Sequence, residues 1–157
     1  MRIIPILQRD AIAAALALGV LAGPARAQSS ADSAAVVQTV LGFHEALARG
    51  DSADALARLA PDVVIIEGGR TETLDHYRSG HLRGDMAFAR AMSRTTSDVR
   101  VVQVDDVAWA TSESRVQGTM RGRQVDSRSA ELMVLSRENG AWRIRAIHWS
   151  SRRRPAR

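Results

Sequence analysis

Gly140-Ala-Trp-Arg-Ile-Arg-Ala-Ile-His-Trp-Ser-Ser151, preceded by Asn139, reads as a tight turn followed by a closing β-strand. Side chains alternate between the two faces of a strand. Strict alternation therefore predicts that Trp142, Ile144, Ala146, His148 and Ser150 share one face, and Arg143, Arg145, Ile147, Trp149 and Ser151 the other. The first face carries no charge until it reaches an imidazole. That places His148 on the inward face, as part of a pocket floor or as a satisfied core histidine.

Working upstream, strands are predicted over 99–104, 107–118 and 124–137, joined by Asp105-Asp106, Met120-Arg121-Gly122 and Glu138-Asn139-Gly140. These are credible hairpin turns, and with 141–151 they make a four-strand antiparallel meander. Another strand, 63–67, is β-branched and stops at Gly68-Gly69. Before it, Val36, Val37, Val40, Leu41, His44, Leu47 and Ala48 fall on one stripe of a helix beginning near Ala34. Gly50-Asp51 ends that helix and opens a second over 53–59. A helical region over 74–92 is interrupted around Gly80 and Gly84. Helices gathered against a mostly antiparallel sheet define an α+β domain.

The chain has 157 residues. Residues 1–27 read as a secretory signal peptide: Arg2 and Arg9 supply basic charge, 11–23 is a run of thirteen residues without a polar side chain, and Pro24-Ala25-Arg26-Ala27 offers small residues before a cut after Ala27. The run is too short to span a bilayer comfortably, so no stable membrane insertion is expected after cleavage, and the destination is periplasmic or secreted. Residues 28–33 form a polar lead-in, 34–151 the domain, and 152–157 a basic disordered tail. There is no cysteine and no lysine, which leaves stability to the core and excludes a Schiff-base lysine. Removing Arg2, Arg9, Arg26 and Asp10 leaves 19 arginines against 16 acids, and setting aside Arg152, Arg153, Arg154 and Arg157 leaves 15 against 16. A nearly neutral body is not that of a nucleic-acid-binding domain.

The segment Phe43-His-Glu-Ala-Leu-Ala-Arg-Gly-Asp-Ser-Ala-Asp-Ala-Leu-Ala-Arg-Leu-Ala-Pro-Asp-Val-Val-Ile-Ile-Glu-Gly-Gly69, the broken helix, the long hairpins and the closing strand resemble the nuclear transport factor 2-like superfamily. Within it the SnoaL-like group of small bacterial proteins is most similar. The resemblance spans residues 34–151 and implies a cone, in which a strongly curved sheet wraps the N-terminal helices and leaves a pocket at the open end. It implies less about function, because the superfamily holds isomerases, dehydratases, cyclases and non-catalytic modules. Glu67 stands about where the superfamily's ketosteroid isomerases place their base. Their oxyanion-hole tyrosine falls on Phe43, which cannot donate a hydrogen bond, and Glu131 lies within one residue of their second oxyanion acid.

The residues themselves offer five candidates. Glu67 ends an apolar strand, where a partly desolvated carboxylate suits a general base; the alternative is a strand-end carboxylate facing water. His81 and Asp85, spaced i and i+4, are either an oriented acid–histidine pair or an ordinary exposed ion pair. Glu131 shares the inward row of Val125, Ser127, Ser129, Met133 and Leu135, and His148 comes from the neighbouring strand. His76 joins only if the helix breaks at Gly80, and His44 reads as a core or pocket-wall histidine. Trp149 is placed on the outer face as a dimer contact, while Met86, Phe88 and Met92 line the core or pocket mouth. No His-x-x-x-His pair or HExxH motif is present, so no metal and no cofactor is expected, and no Gly-x-Ser-x-Gly elbow supports a serine nucleophile. The expected partners are a small, mostly apolar organic ligand and a second copy of the chain. Cofactor-free proton transfer (isomerisation, dehydration or cyclisation) and a non-catalytic binding or interaction module both remain open.

Overall fold

In the computed structural model, residues 24–154 are described. Residues 1–23 of the expected leader, and 155–157 of the expected tail, lie outside them. Apolar residues at Val36, Val40, Phe43 and Leu47 give α1 (Pro24–Arg49) one fully packed stripe. The helix begins at Pro24 and not near Ala34, so the polar lead-in 28–33 is part of it; proline is well suited to a first helical turn. Gly50, at φ 75°, closes α1, and Asp51 caps α2 (Ser52–Ala57) by accepting from the Asp54 N–H at 2.9 Å.

The chain continues through β1 (Leu59–Glu67), β2 (Arg70–Thr73), α3 (Leu74–His76), a π turn (Tyr77–His81), α4 (Leu82–Ala91), β3 (Met92–Thr96), β4 (Arg100–Val104), β5 (Val107–Met120), β6 (Arg123–Glu138) and β7 (Ala141–Arg153). The helical region is interrupted at Gly80, inside the π turn, but runs on through Gly84. One seven-stranded sheet runs β2-β1-β7-β6-β5-β3, with β4 also on β5. β1 and β7 are parallel and every other pair is antiparallel, including the expected β4–β7 meander. β2 and β3 go beyond the expectation; Thr71-Glu72-Thr73 and Ser93-Arg94-Thr95-Thr96 have no apolar alternation to announce a strand.

The core joins the α1 stripe to Val63 and Ile65, to Tyr77 and Leu82, and to the inward residues Ala108, Ala110, Met133, Leu135, Ile144 and Ile147. Along β7 the inward face changes parity. Leu135 opposes Ile144 but Val134 opposes Ala146, so Arg145 is the extra residue of a β-bulge. Its guanidinium donates to Asp62, to Glu138 and, at 2.6 Å, to Ser136 Oγ. Trp142 and Ile144 therefore face inward before the bulge, and Ile147 and Trp149 after it, while His148 is exposed on the outer face. The placements of His148 inside and Trp149 outside are both corrected by this single residue. β7 also pairs with β6 as far as Ser127–Arg153, which puts Arg152 and Arg153 in the sheet and not in a disordered tail.

The outer face carries apolar rows. Val64, Ala146, Val134, Trp109 and Val102 stand opposite one another across β1, β7, β6, β5 and β4, with Ile66, His148 and Leu132 as the next row. Val64, Ile66, Trp109, Val102 and Leu132 are all exposed. No helix among the described residues is long and apolar enough to cross a membrane.

Candidate functional site

A pocket of about 380 Å³ opens between α1, α4, β3 and the concave face of the sheet. Leu47, Ala48, Phe88, Ala89, Met92, Val116 and Trp149 make it mostly apolar, and His44, Glu67, Asp85, Arg94, Ser127, Ser129 and Ser151 supply polar groups. Phe88 and Met92 thus stand at the pocket, as expected, and Met86 packs against the core.

Two polar clusters meet this pocket. In the first, Glu67 arrives on the inward row of β1, and the π turn delivers His81 from the adjoining helix. His81 Nε2 lies 3.3 Å from Asp85 Oδ1 and 3.5 Å from Glu67 Oε2, while Nδ1 is 3.2 Å from Glu72 Oε1. Tyr77 is completely buried and donates its hydroxyl to Asp85 Oδ2 at 2.9 Å. Burial, followed by the Asp85 charge, holds the Glu67 carboxyl above its ordinary value. Burial also raises Asp85, against the opposing pull of His81 and the Tyr77 hydrogen bond. Burial and the Asp85 carboxylate push the Tyr77 hydroxyl far up, so it stays protonated as a donor. One donor atom each from Glu67, His81 and Asp85 lie within 4.8 Å of one another. Such a set can share a proton, and it is also where a cation would find ligands, although no spacing in the chain announces a metal motif.

In the second cluster Glu131 is buried with both oxygens engaged. His44 Nε2 is 2.8 Å and Trp149 Nε1 2.5 Å from Oε2, and Ser112 Oγ donates to Oε1 at 3.4 Å. Burial favours the neutral acid, but the hydrogen bonds from His44 and Trp149 and the charge of His44 outweigh it and lower the Glu131 pKa. This carboxylate is a fixed anion and anchors His44, which lines the pocket. Phe43 is buried and stacks on Trp149 at 6.4 Å.

Of the five candidates, Glu67, His81 and Asp85 come together, with Glu67 and Asp85 lining the pocket and His81 in contact with both from the adjoining cleft. Glu131 belongs to the second cluster, and His148 reaches neither, because the Arg145 bulge turns it outward. His76 lines a separate shallow cleft with Glu72, which Glu67 and His81 also border. Reading residues alone missed Glu72, Tyr77 and Arg94. Glu72 was within reach: a two-residue Gly68-Gly69 turn pairs Glu67 with Arg70 and Ile65 with Glu72, putting Glu72 on the inward face.

Helices seated in the concave face of an open mixed sheet, with an acid–histidine pocket at its mouth, define a cone-shaped α+β class. The chain belongs to the SnoaL-like domain family, which matches residues 36–153. A proposed ketosteroid isomerase from Shewanella frigidimarina NCIMB 400 is 36% identical, with 74% of this chain and 94% of that one covered at a TM-score of 0.71. A proposed dehydratase of the NTF2-like family from Streptomyces avermitilis is 19% identical, with coverage of 78% and 96% and a TM-score of 0.68. The CaMKII hub of S. rosetta is 22% identical, with coverage of 85% and 100% and a TM-score of 0.67. No curated protein matches the chain.

Proposed function

We propose that this protein binds a small, mostly apolar organic molecule and moves a proton on it without a cofactor. The observation that carries this reading is the placement of Glu67 and Asp85 in the wall of an apolar pocket, with the His81 imidazole in contact with both carboxylates. A half-buried carboxylate with a raised pKa is a better base near neutral pH than an ordinary one, and the neighbouring imidazole can accept or return the proton. The isomerase and dehydratase descriptions of the relatives are compatible with such chemistry. Phe43, buried and without a hydroxyl, argues for a different electrophilic partner than a tyrosine on α1.

The basic start and the apolar run at 11–23 support export to the periplasm or beyond. A cut after Ala27 would remove only the first four residues of α1. The exposed rows on the outer face support a homodimer, and the hub among the structural relatives is compatible with self-assembly. Those rows also favour the second reading, a dimeric module that binds without turnover.

The test begins by purifying the protein and identifying co-purifying small molecules and metals by mass spectrometry. The bound molecule is then incubated with the protein in D2O. Carbon-bound hydrogen exchanges in the wild type and slows by at least about a hundredfold in Glu67→Gln, while His148→Ala exchanges normally. Tight binding without exchange overturns the catalytic reading in favour of the module. A metal lost on His81→Ala replaces cofactor-free transfer with metal-assisted chemistry.

A further inference from the structure

Arg94 lines the same pocket as Glu67 and Asp85, and its charge acts on both carboxyls and on Glu131, but neither it nor the serines of the concave face have a role in the proton transfer described above. Arg94 opposes the buried Val116 on β3–β5 and so lies on the concave side, where it stays exposed at the pocket and its Nη1 donates to Ser114 Oγ at 3.3 Å. Among the described residues no carboxylate comes within ion-pair distance of this guanidinium, although it is the only one lining the pocket. Ser114 stands directly opposite Ser129, and Ser129 directly opposite Ser151. Three hydroxyls thus form a row across β5, β6 and β7 on one face, about 4.8 Å apart from strand to strand. Ser129 and Ser151 line the pocket, and neither side chain has a hydrogen-bond partner among the described residues.

We propose that Arg94 and the Ser114–Ser129–Ser151 row receive an anionic oxygen group of the pocket's ligand, so that the ligand is an amphipathic organic anion. This rests on the small-molecule reading above and assigns the ligand's charge. A guanidinium with donors to spare, beside a row of rotatable hydroxyls, matches a carboxylate or sulfonate better than any neutral group. The apolar residues Phe88, Met92 and Trp149 hold the hydrocarbon part, leaving the other end of the ligand for Glu67. Two features limit repulsion from the acids: Glu131 is already engaged by three donors, and the carboxyls of Glu67 and Asp85 are biased toward the neutral form.

The probes are 2-naphthoate and 2-naphthamide, which share a ring system and differ in charge, measured by isothermal titration calorimetry against the full chain. Naphthoate should bind about tenfold more tightly, as expected for one charge-assisted hydrogen bond. Arg94→Gln should erase that preference, so that the variant binds the two probes alike while keeping a cooperative thermal melt, and Arg94→Lys should retain part of it. Equal binding of the two probes by the wild type, or naphthoate binding unaffected by Arg94→Gln, overturns the anion assignment and leaves the pocket reading standing. Failure of both probes to bind overturns the pocket reading itself, and this inference with it.

Discussion

Trp149 donates its indole N–H to Glu131 Oε2 at 2.5 Å across a directly opposed β6–β7 pair. His44 reaches the same oxygen from α1, so one buried carboxylate ties the first helix to the last strand. Removing its charge should therefore be costly. Glu131→Gln is expected to lose about 1–3 kcal/mol at pH 7 in urea melts, the range for a buried hydrogen-bonded ion left poorly matched. The pH dependence has a defined sign. With the folded pKa below the ordinary 4.5, the stabilisation is full above that value and disappears as pH falls through the folded pKa. The gap between wild type and Glu131→Gln should close on acidification; a constant gap would show that packing, not charge, is responsible.

Glu67 has the opposite sign. Its carboxyl is raised, so the ionised form is disfavoured by folding and wild-type stability declines as pH rises through the folded pKa. Glu67→Gln removes the titration. It should melt at a higher temperature than the wild type at pH 7 and at a similar temperature at pH 4, while proton exchange on the ligand is lost. A variant destabilised at neutral pH would mean that the contact with His81 outweighs the cost of desolvation.

Most of the architecture was legible because long elements carry their periods openly. The α1 stripe, the meander and the three turns with positive φ at Asp105, Arg121 and Asn139 follow from spacing and turn chemistry. The site was less legible, and Arg145 shows why. A bulge adds one residue, and with a period of two, one residue exchanges the faces of everything after it. Nothing in Arg-Ile-Arg-Ala-Ile distinguishes a strand residue from a bulged one; the distinction lies in Asp62, Ser136 and Glu138, which collect its guanidinium from other strands. Glu67, His81 and Asp85 were found because each carries a local signal. Their meeting, and the contributions of Tyr77 and Glu72, depend on the π turn and the β1–β2 register.

The outer face gives a prediction about assembly. Leu132 lies at the middle of the exposed rows, between His148 on β7 and Thr111 on β5. If a second copy covers this face, the wild type should behave as a dimer in light scattering, and Leu132→Glu should yield a folded monomer, because two opposed carboxylates cannot be desolvated at a symmetric interface. A wild type that remains monomeric at high micromolar concentration would refute the homodimer, as would a Leu132→Glu variant that still dimerises.

Tyr77 offers the sharpest test of the acid–histidine cluster. Its hydroxyl is buried, protonated and aimed at Asp85 Oδ2, where it supports the ionised carboxylate against the effect of burial. Tyr77→Phe keeps the ring and removes only that donor. Asp85 should then titrate at higher pH than in the wild type, as followed by carbon-13 NMR of the carboxyl. Stability at pH 7 should fall by about 1.5–3 kcal/mol, typical for a hydrogen bond to a charged group. The loss should shrink once the pH drops far enough to protonate Asp85 in both proteins, because the hydroxyl then stabilises a neutral acid much less. An Asp85 titration that stays in place, together with a pH-independent loss of stability, would assign Tyr77 to packing alone and leave His81, with Arg94 behind it, to hold the Asp85 charge.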